Sequence, residues 1–200
     1  VTVYCATSNP GKLREFRLAA EFAGIRIETV PGLAGTPPCE ETGDTFEANA
    51  IIKAQYYGQH APGLLFADDS GLEVDALHGA PGVYSARFAG PDATDAANNA
   101  LLLEKMRGVA DRTARFVCVI AVADGGRLVE TFRGAVEGRI LDEPRGANGF
   151  GYDPLFFYPP FRCPFGEASA ERKLRVSHRG AALRALFGAI ASGKIKSAIS

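Results

Sequence analysis

The chain of 200 residues has few of the side chains that build metal clusters or cross-links: four cysteines and three histidines. Cys5, Cys39, Cys118 and Cys163 lie far apart with no C-x-x-C pair, which argues against a zinc site and a disulfide framework. Cys5 and Cys118 sit in apolar, strand-like runs and read as small core residues, so a reducing compartment fits. An excess of either charge is also missing. Lys and Arg number 22 against 23 Asp and Glu, with no basic stripe, so nucleic acid is not an expected partner. No apolar run approaches the roughly 20 residues of a membrane helix, and no membrane contact is expected. VTVYCATSNPGK has no basic segment followed by a long apolar stretch, so it is not read as a secretory signal; the expected location is the cytoplasm.

What is present is ordinary globular material, 46% hydrophobic and 22% charged, expected to form one domain over 1–200. VTVYCA is a short strand broken by TSNPG, and Leu13, Phe16 and Ala20 then share a helical face. IRIETV alternates as a second strand, and 31–43 is a Pro- and Gly-rich loop ending at Glu40–Glu41. Asp44 with Glu47 predicts a capping box for a helix carrying Phe46, Ala50, Ile51 and Ala54. LLFAD is a buried strand delivering Asp68–Asp69 at its end, 94–107 an amphipathic helix and ARFVCVIAVA the strongest strand. LVETFRGAVEGRIL predicts two strands bent near Gly134 or Gly138, 143–166 a long aromatic loop, and SHRGAALRALFGAIA a helix capped by Ser177. Helices alternate with strands early and hairpin-like strands follow, which predicts an α/β fold with a mixed sheet.

Four stretches have chemical potential. TSNPGK, with Thr7, Ser8, Asn9, Pro10, Gly11 and Lys12 at a strand-to-helix junction, reads as a phosphate site or as a capped helix with a surface lysine. It is not a Walker A loop, because Ala6 stands at the first glycine position and Leu13 follows Lys12. Glu41 and the adjacent Asp68 and Asp69, with Lys53 beside them, offer oxygen ligands for a hard cation, although Glu40–Glu41 taken alone reads first as a solvated acidic loop. In GANGFGYDP, Gly151 and its neighbours let backbone approach a ligand, Phe150 or Tyr152 offers a ring to stack on, and Asp153 an acceptor for a base edge; the alternative is an aromatic-packed turn. RKLRVSHRG brings Lys173, His178 and Arg179 near a helix start, where cations oppose the dipole and call for an anion. His60 and His78 have no such company and are assigned no role.

SNPGK, ETG before a helix with Lys53, ADDSGL, APGVYSARFAG, GFGYDP and SHRG follow in order along nearly the whole chain. In this order and type they resemble the inosine triphosphate pyrophosphatase family, which hydrolyses non-standard purine nucleoside triphosphates. The resemblance implies an elongated mixed α/β fold of two lobes around a central nucleotide cleft, a homodimer, a magnesium requirement, and release of pyrophosphate from ITP, dITP and XTP. By the same resemblance Thr7–Lys12 bind phosphate, Glu41 binds metal, Lys53 contacts phosphate, Asp69 is catalytic and metal-associated, and Ser70 contacts substrate. Phe150–Asp153, Lys173, His178 and Arg179 fall on nucleotide- and base-binding positions. The chain departs from the pattern between Phe165 and Ser177, which is shorter than expected, with Glu167 where a lysine is usual. A non-catalytic purine nucleotide sensor and a pyrophosphatase of other base specificity are the alternative functions.

Overall fold

The computed structural model describes residues 1–196. Seven strands form one mixed sheet in the order β2-β1-β3-β4-β5-β6-β7. They are β1 (Thr2–Cys5), β2 (Arg26–Thr29), β3 (Leu65–Val74), β4 (Thr113–Asp124), β5 (Arg127–Ile140), β6 (Phe156–Tyr158) and β7 (Cys163–Pro164). β1 runs parallel to β2 and β3, and every later pairing is antiparallel. The helices are α1 (Pro10–Ala23), α2 (Phe46–Gly58), α3 (Asp95–Lys105), α4 (Ala170–Val176) and α5 (His178–Ala191).

Alternation along the strands splits the core. Val3, Cys5, Phe66 and Cys118 pack with α1 and α5 on one face, while Leu65, Ala67, Val117 and Val119 pack with α2 on the other. A third cluster joins Leu72, Val74, Phe116 and Val136 to α3 and the aromatic segment around Phe156 and Phe165. The arrangement leaves a notch. β1 pairs with β3 only at Leu65 and Phe66, whereas β4 accompanies β3 along its whole length. Beyond Cys5 the chain turns away into α1, so the β3 edge from Ala67 onward is uncovered by β1.

The structure corrects several expectations. Asp68–Asp69 lie in the middle of a ten-residue strand, not at its end; the antiparallel pairing with β4 carries the chain on where parallel pairing with β1 stops. LVETFRGAVEGRIL is one continuous strand, with Gly134 opposite Cys118 and Gly138 opposite Ala114. These glycines serve close approach instead of a bend. A Cβ on Gly134 would be driven into the His178 carbonyl of α5, and one on Gly138 would lie 2.5 Å from the Phe157 carbonyl oxygen. Thr45, not Asp44, caps α2, its hydroxyl accepting from Ala48 N–H at 3.0 Å. The aromatic segment is not a bare loop, since it holds β6 and β7. Lys173 lies within α4, an extra helix before Ser177.

Candidate active site

The notch opens into a cleft of about 590 Å³. It gathers Thr7, Ser8, Asn9, Lys12, Glu41, Lys53, Asp68, Asp69, Ser70, Phe150, Gly151, Tyr152, Asp153, Lys173, His178 and Arg179 on its walls. Pro10 and Gly11 stand behind them. Pro10 opens α1, where its missing N–H costs nothing, and Gly11 packs so tightly that a Cβ would come within 2.6 Å of the Phe150 ring.

At the start of α1 the Asn9 side chain accepts from the N–H groups of Gly11 and Lys12 at 2.9 and 3.1 Å. These helix-start amides are therefore used by the protein's own cap, as in the capped-helix reading of TSNPGK. Thr7, Ser8 and Lys12 line the cleft beside this cap, the Thr7 hydroxyl accepting from Asn9 N–H at 3.2 Å.

Adjacent strand residues point to opposite faces, and this resolves how two neighbouring aspartates coexist. Asp68 faces α1 and α5: Lys12 Nζ lies 3.0 Å from its Oδ2 and Arg179 Nε 3.6 Å. Asp69 faces α2, where Lys53 Nζ is 3.2 Å from Asp69 Oδ1 and 3.3 Å from Glu41 Oε2. Burial works against charge on Asp68, but Lys12, Arg179 and Lys53 outweigh it and hold the carboxyl at about 2. For Asp69 burial prevails over Lys53 and Lys12, and Glu41 and Asp68 add to it, so its pKa is raised. Asp69 Oδ2 is buried without a hydrogen-bond partner. Asp68 is thus a fixed counter-ion, and Asp69 a cleft-wall carboxyl with one oxygen left unpaired. The three acids do not form one ligand cluster: among the described residues no group of three or more His, Cys, Asp and Glu side chains is placed to hold a metal. Alternation removes Asp68 from the set.

The other end of the cleft is built on Glu15, a residue that sequence reasoning missed. Glu15 Oε1 accepts from Lys173 Nζ at 2.6 Å, and its Oε2 accepts from Arg179 Nη1. Burial opposes its ionisation, and Arg179 and Lys173 overcome that and lower its pKa. The available signal was its spacing of three from Lys12 beside buried Phe16. Glu15 and Asp68 supply the anions that the cations of α4 and α5 require. Arg179 also donates to Ser70 Oγ at 2.7 Å. His178 stacks on Phe116 with centroids 4.7 Å apart. Burial first, then Arg179, Lys173 and Lys12, push its pKa well down, so the imidazole is neutral; its Nδ1 has no hydrogen-bond partner.

Two expected base contacts have other work. Asp153 Oδ2 accepts from Phe150 N–H at 3.0 Å and from Lys173 Nζ, which closes the loop on itself. Tyr152 is buried and donates its hydroxyl to the Ser85 carbonyl at 2.6 Å. The half-buried Phe150 is left as the ring on the cleft wall, with Lys173 Nζ and Arg179 Cζ 4.9 and 5.6 Å from its centroid. Glu167, in the shortened segment, forms a two-pronged pair with Arg145 at 2.9 and 3.0 Å.

Known proteins are similar to this chain over most of its length. A dITP/XTP pyrophosphatase of Acidobacterium capsulatum is 50% identical over 196 residues, covering 94% of this chain and 97% of that one. One from Exiguobacterium is 51% identical over 181 residues, covering 90% and 92%. The solved Staphylococcus aureus Ham1 protein superposes with a TM-score of 0.84 at 39% identity, covering 98% of this chain and 100% of that one. A HAM1 protein from Coxiella burnetii gives 0.85 at 38%, covering 96% and 99%. The Ham1 family profile matches residues 3–189, and the chain, with its strand-centred aspartates and its SNPGK and SHRG segments, belongs to that family.

Proposed function

We propose that the protein hydrolyses ITP, dITP and XTP to the nucleoside monophosphate and pyrophosphate. The reading rests on the unequal aspartates: one neutralised by Lys12 and Arg179, the other with a raised pKa and an unpartnered oxygen toward a cleft that holds Lys12 and Lys53. Relatives that carry the name dITP/XTP pyrophosphatase support it.

The triphosphate lies against Thr7, Ser8, Lys12 and Lys53. Asp69 orients a water toward the α-phosphorus and takes its proton as the new P–O bond forms. The bond from the α-phosphorus to the bridging oxygen breaks, and pyrophosphate leaves with that oxygen. Lys12 and Lys53 stabilise the charge that develops, in a site where low dielectric makes each ammonium count for more than in water. Glu41 and Asp69 meet at Lys53, and Asp69 keeps a free oxygen, which suits a hard cation that takes one or two carboxylates and completes its shell with phosphate and water. We assign magnesium to these two residues. When bound, it supplies Lewis-acid polarisation of the phosphate oxygens.

The base occupies the Phe150 end. A 6-oxo purine faces the donors Lys173 and Arg179, whereas adenine would set an amino group against them, leaving buried donors unpaired. The assembly is a homodimer, for which the exposed Tyr84, Leu128 and Val129 offer apolar surface, and the setting is the cytoplasm, consistent with four free cysteines. A panel of purine and pyrimidine triphosphates with magnesium, read as released pyrophosphate, tests the function. Release from dITP, ITP and XTP well above ATP is expected. Equal rates on pyrimidine triphosphates would overturn the base assignment, and tight binding without any pyrophosphate would make the protein a sensor.

A further inference from the structure

The Phe150 loop is held by α3, an element to which none of the site motifs belongs and whose Asp95 and Asn98 reach the cleft wall. Gly151 has a left-handed φ of 59°, and its peptide groups turn away from the loop. Its N–H donates to Asp95 Oδ2 at 2.7 Å, and its carbonyl accepts from Asn99 Nδ2 at 3.0 Å. Asp95 and Asn99 stand one turn apart on α3, so one helix face grips both polar groups of one residue. The residue between these contacts and the loop's own closure is Phe150, whose N–H is held by Asp153 and whose ring rests on Gly11. Neighbouring Asn98 performs the matching task on the facing segment, accepting from Ala89 N–H at 2.8 Å and donating to the Ala86 carbonyl at 3.1 Å.

We propose that Asp95 and Asn99 are positioning residues for base recognition: they fix the Gly151 peptide and so hold the Phe150 ring in the attitude that receives the purine. This rests on the proposed placement of the base at Phe150. The inference separates the two ends of the cleft, because nothing in the α3 grip touches Lys12, Lys53 or Asp69. Affinity for a ligand that has a base should depend on the grip, and affinity for one that lacks it should not.

The test is calorimetric titration of the full chain with IMP, and separately with inorganic pyrophosphate plus magnesium. Asp95→Ala and Asn99→Ala are expected to weaken IMP about tenfold each, the effect of one lost charge-assisted or amide hydrogen bond, with pyrophosphate affinity held within about twofold. Asp95→Asn, which keeps an acceptor oxygen, should stay near the parent. Hydrogen exchange of the Gly151 amide gives a second measurement, and it should speed up in Asp95→Ala. Phe150→Ala distinguishes the two layers of the argument. If it leaves IMP affinity unchanged, the base placement itself fails. If it weakens IMP while the α3 variants do not, the placement stands and the positioning role is overturned. Equal weakening of IMP and pyrophosphate in the α3 variants also overturns it, since that marks general damage to the fold.

Discussion

At the scale of single residues, Asp68 and Asp69 show how one peptide unit can give two identical side chains opposite properties. Asp68 is held at about 2 against an ordinary value near 3.9, so its ionised form stabilises the fold. The native state binds fewer protons there than the unfolded chain, so this stability, on the order of 2 kcal/mol, is complete above about pH 4 and is lost as pH falls toward 2. Asp68→Asn is therefore expected to lower thermal stability at pH 7 and to lose that deficit only in strong acid, with Lys12 and Arg179 left without their shared anion. Asp69 has the reverse sign. Its raised pKa means that the folded state holds the proton more tightly than the unfolded one, so its charge weakens the fold above the folded pKa, and this cost is relieved as pH falls. Asp69→Asn should unfold no more easily than the parent at pH 8, while turnover of dITP drops by about 10²–10⁴-fold, the usual contribution of a positioned general base. Parallel melting curves and pyrophosphate assays check both halves. An Asp69→Asn protein that is clearly less stable at pH 8, or one with near-parent turnover, contradicts the assignment.

Elements carry the next set of constraints, and here glycine matters through contact. Gly134 lies in mid-strand on β5, where α5 begins against it, and a methyl group would enter the space of the His178 carbonyl, which is backbone and cannot swing aside. Gly134→Ala should cost about 2 kcal/mol as overpacking, or about 4–8 °C in melting temperature for a chain of this size. Because the displaced atoms begin the helix that carries His178 and Arg179, kcat/KM for dITP should fall more than for a substitution of equal cost on a remote surface. A melting temperature within about 1 °C of the parent would show that α5 has room to move. Hydrophobic period revealed α1, α2 and α3 in the sequence, and long apolar segments revealed β4, which is buried on both faces, and α5. It misplaced the α2 cap because Asp44 and Thr45 are both good caps, and only the strand-to-helix path decides which hydroxyl or carboxyl reaches the Ala48 amide. It divided β5 at its glycines because a glycine tolerated for close approach looks, in sequence, like a glycine placed for a turn. α4 escaped notice as a seven-residue helix, too short to show a face.

For the whole molecule, a net charge of −1 conceals a cleft in which cations and carboxylates are matched almost one to one. The motifs in chain order indicated which residues would meet there, but not who would meet whom. Whether Lys12 faces Asp68 or Asp69 depends on strand alternation and on the place where β1 stops covering β3, and Glu15 becomes visible only when α1, α4 and α5 converge. This matching bears on what metal removal does. Lys53 bridges Glu41 and Asp69 at 3.3 and 3.2 Å and offsets part of the repulsion through which Glu41 raises the Asp69 pKa, so the carboxylates that we assign to magnesium have a counter-charge of their own. Folding is therefore expected not to wait for the proposed ion, in contrast to small domains whose metal is their core. Chelation with EDTA is expected to abolish pyrophosphate release while cooperative unfolding persists. The melting temperature should drop by at most about 4 °C, the mass-action effect of a weakly held ion. Restored magnesium should return full activity without a refolding lag. Turnover that survives chelation would remove the ion from the reaction. Loss of the cooperative transition would mean instead that Lys53 does not neutralise the pair, and that the ion, not the lysine, holds the Glu41 loop against α2.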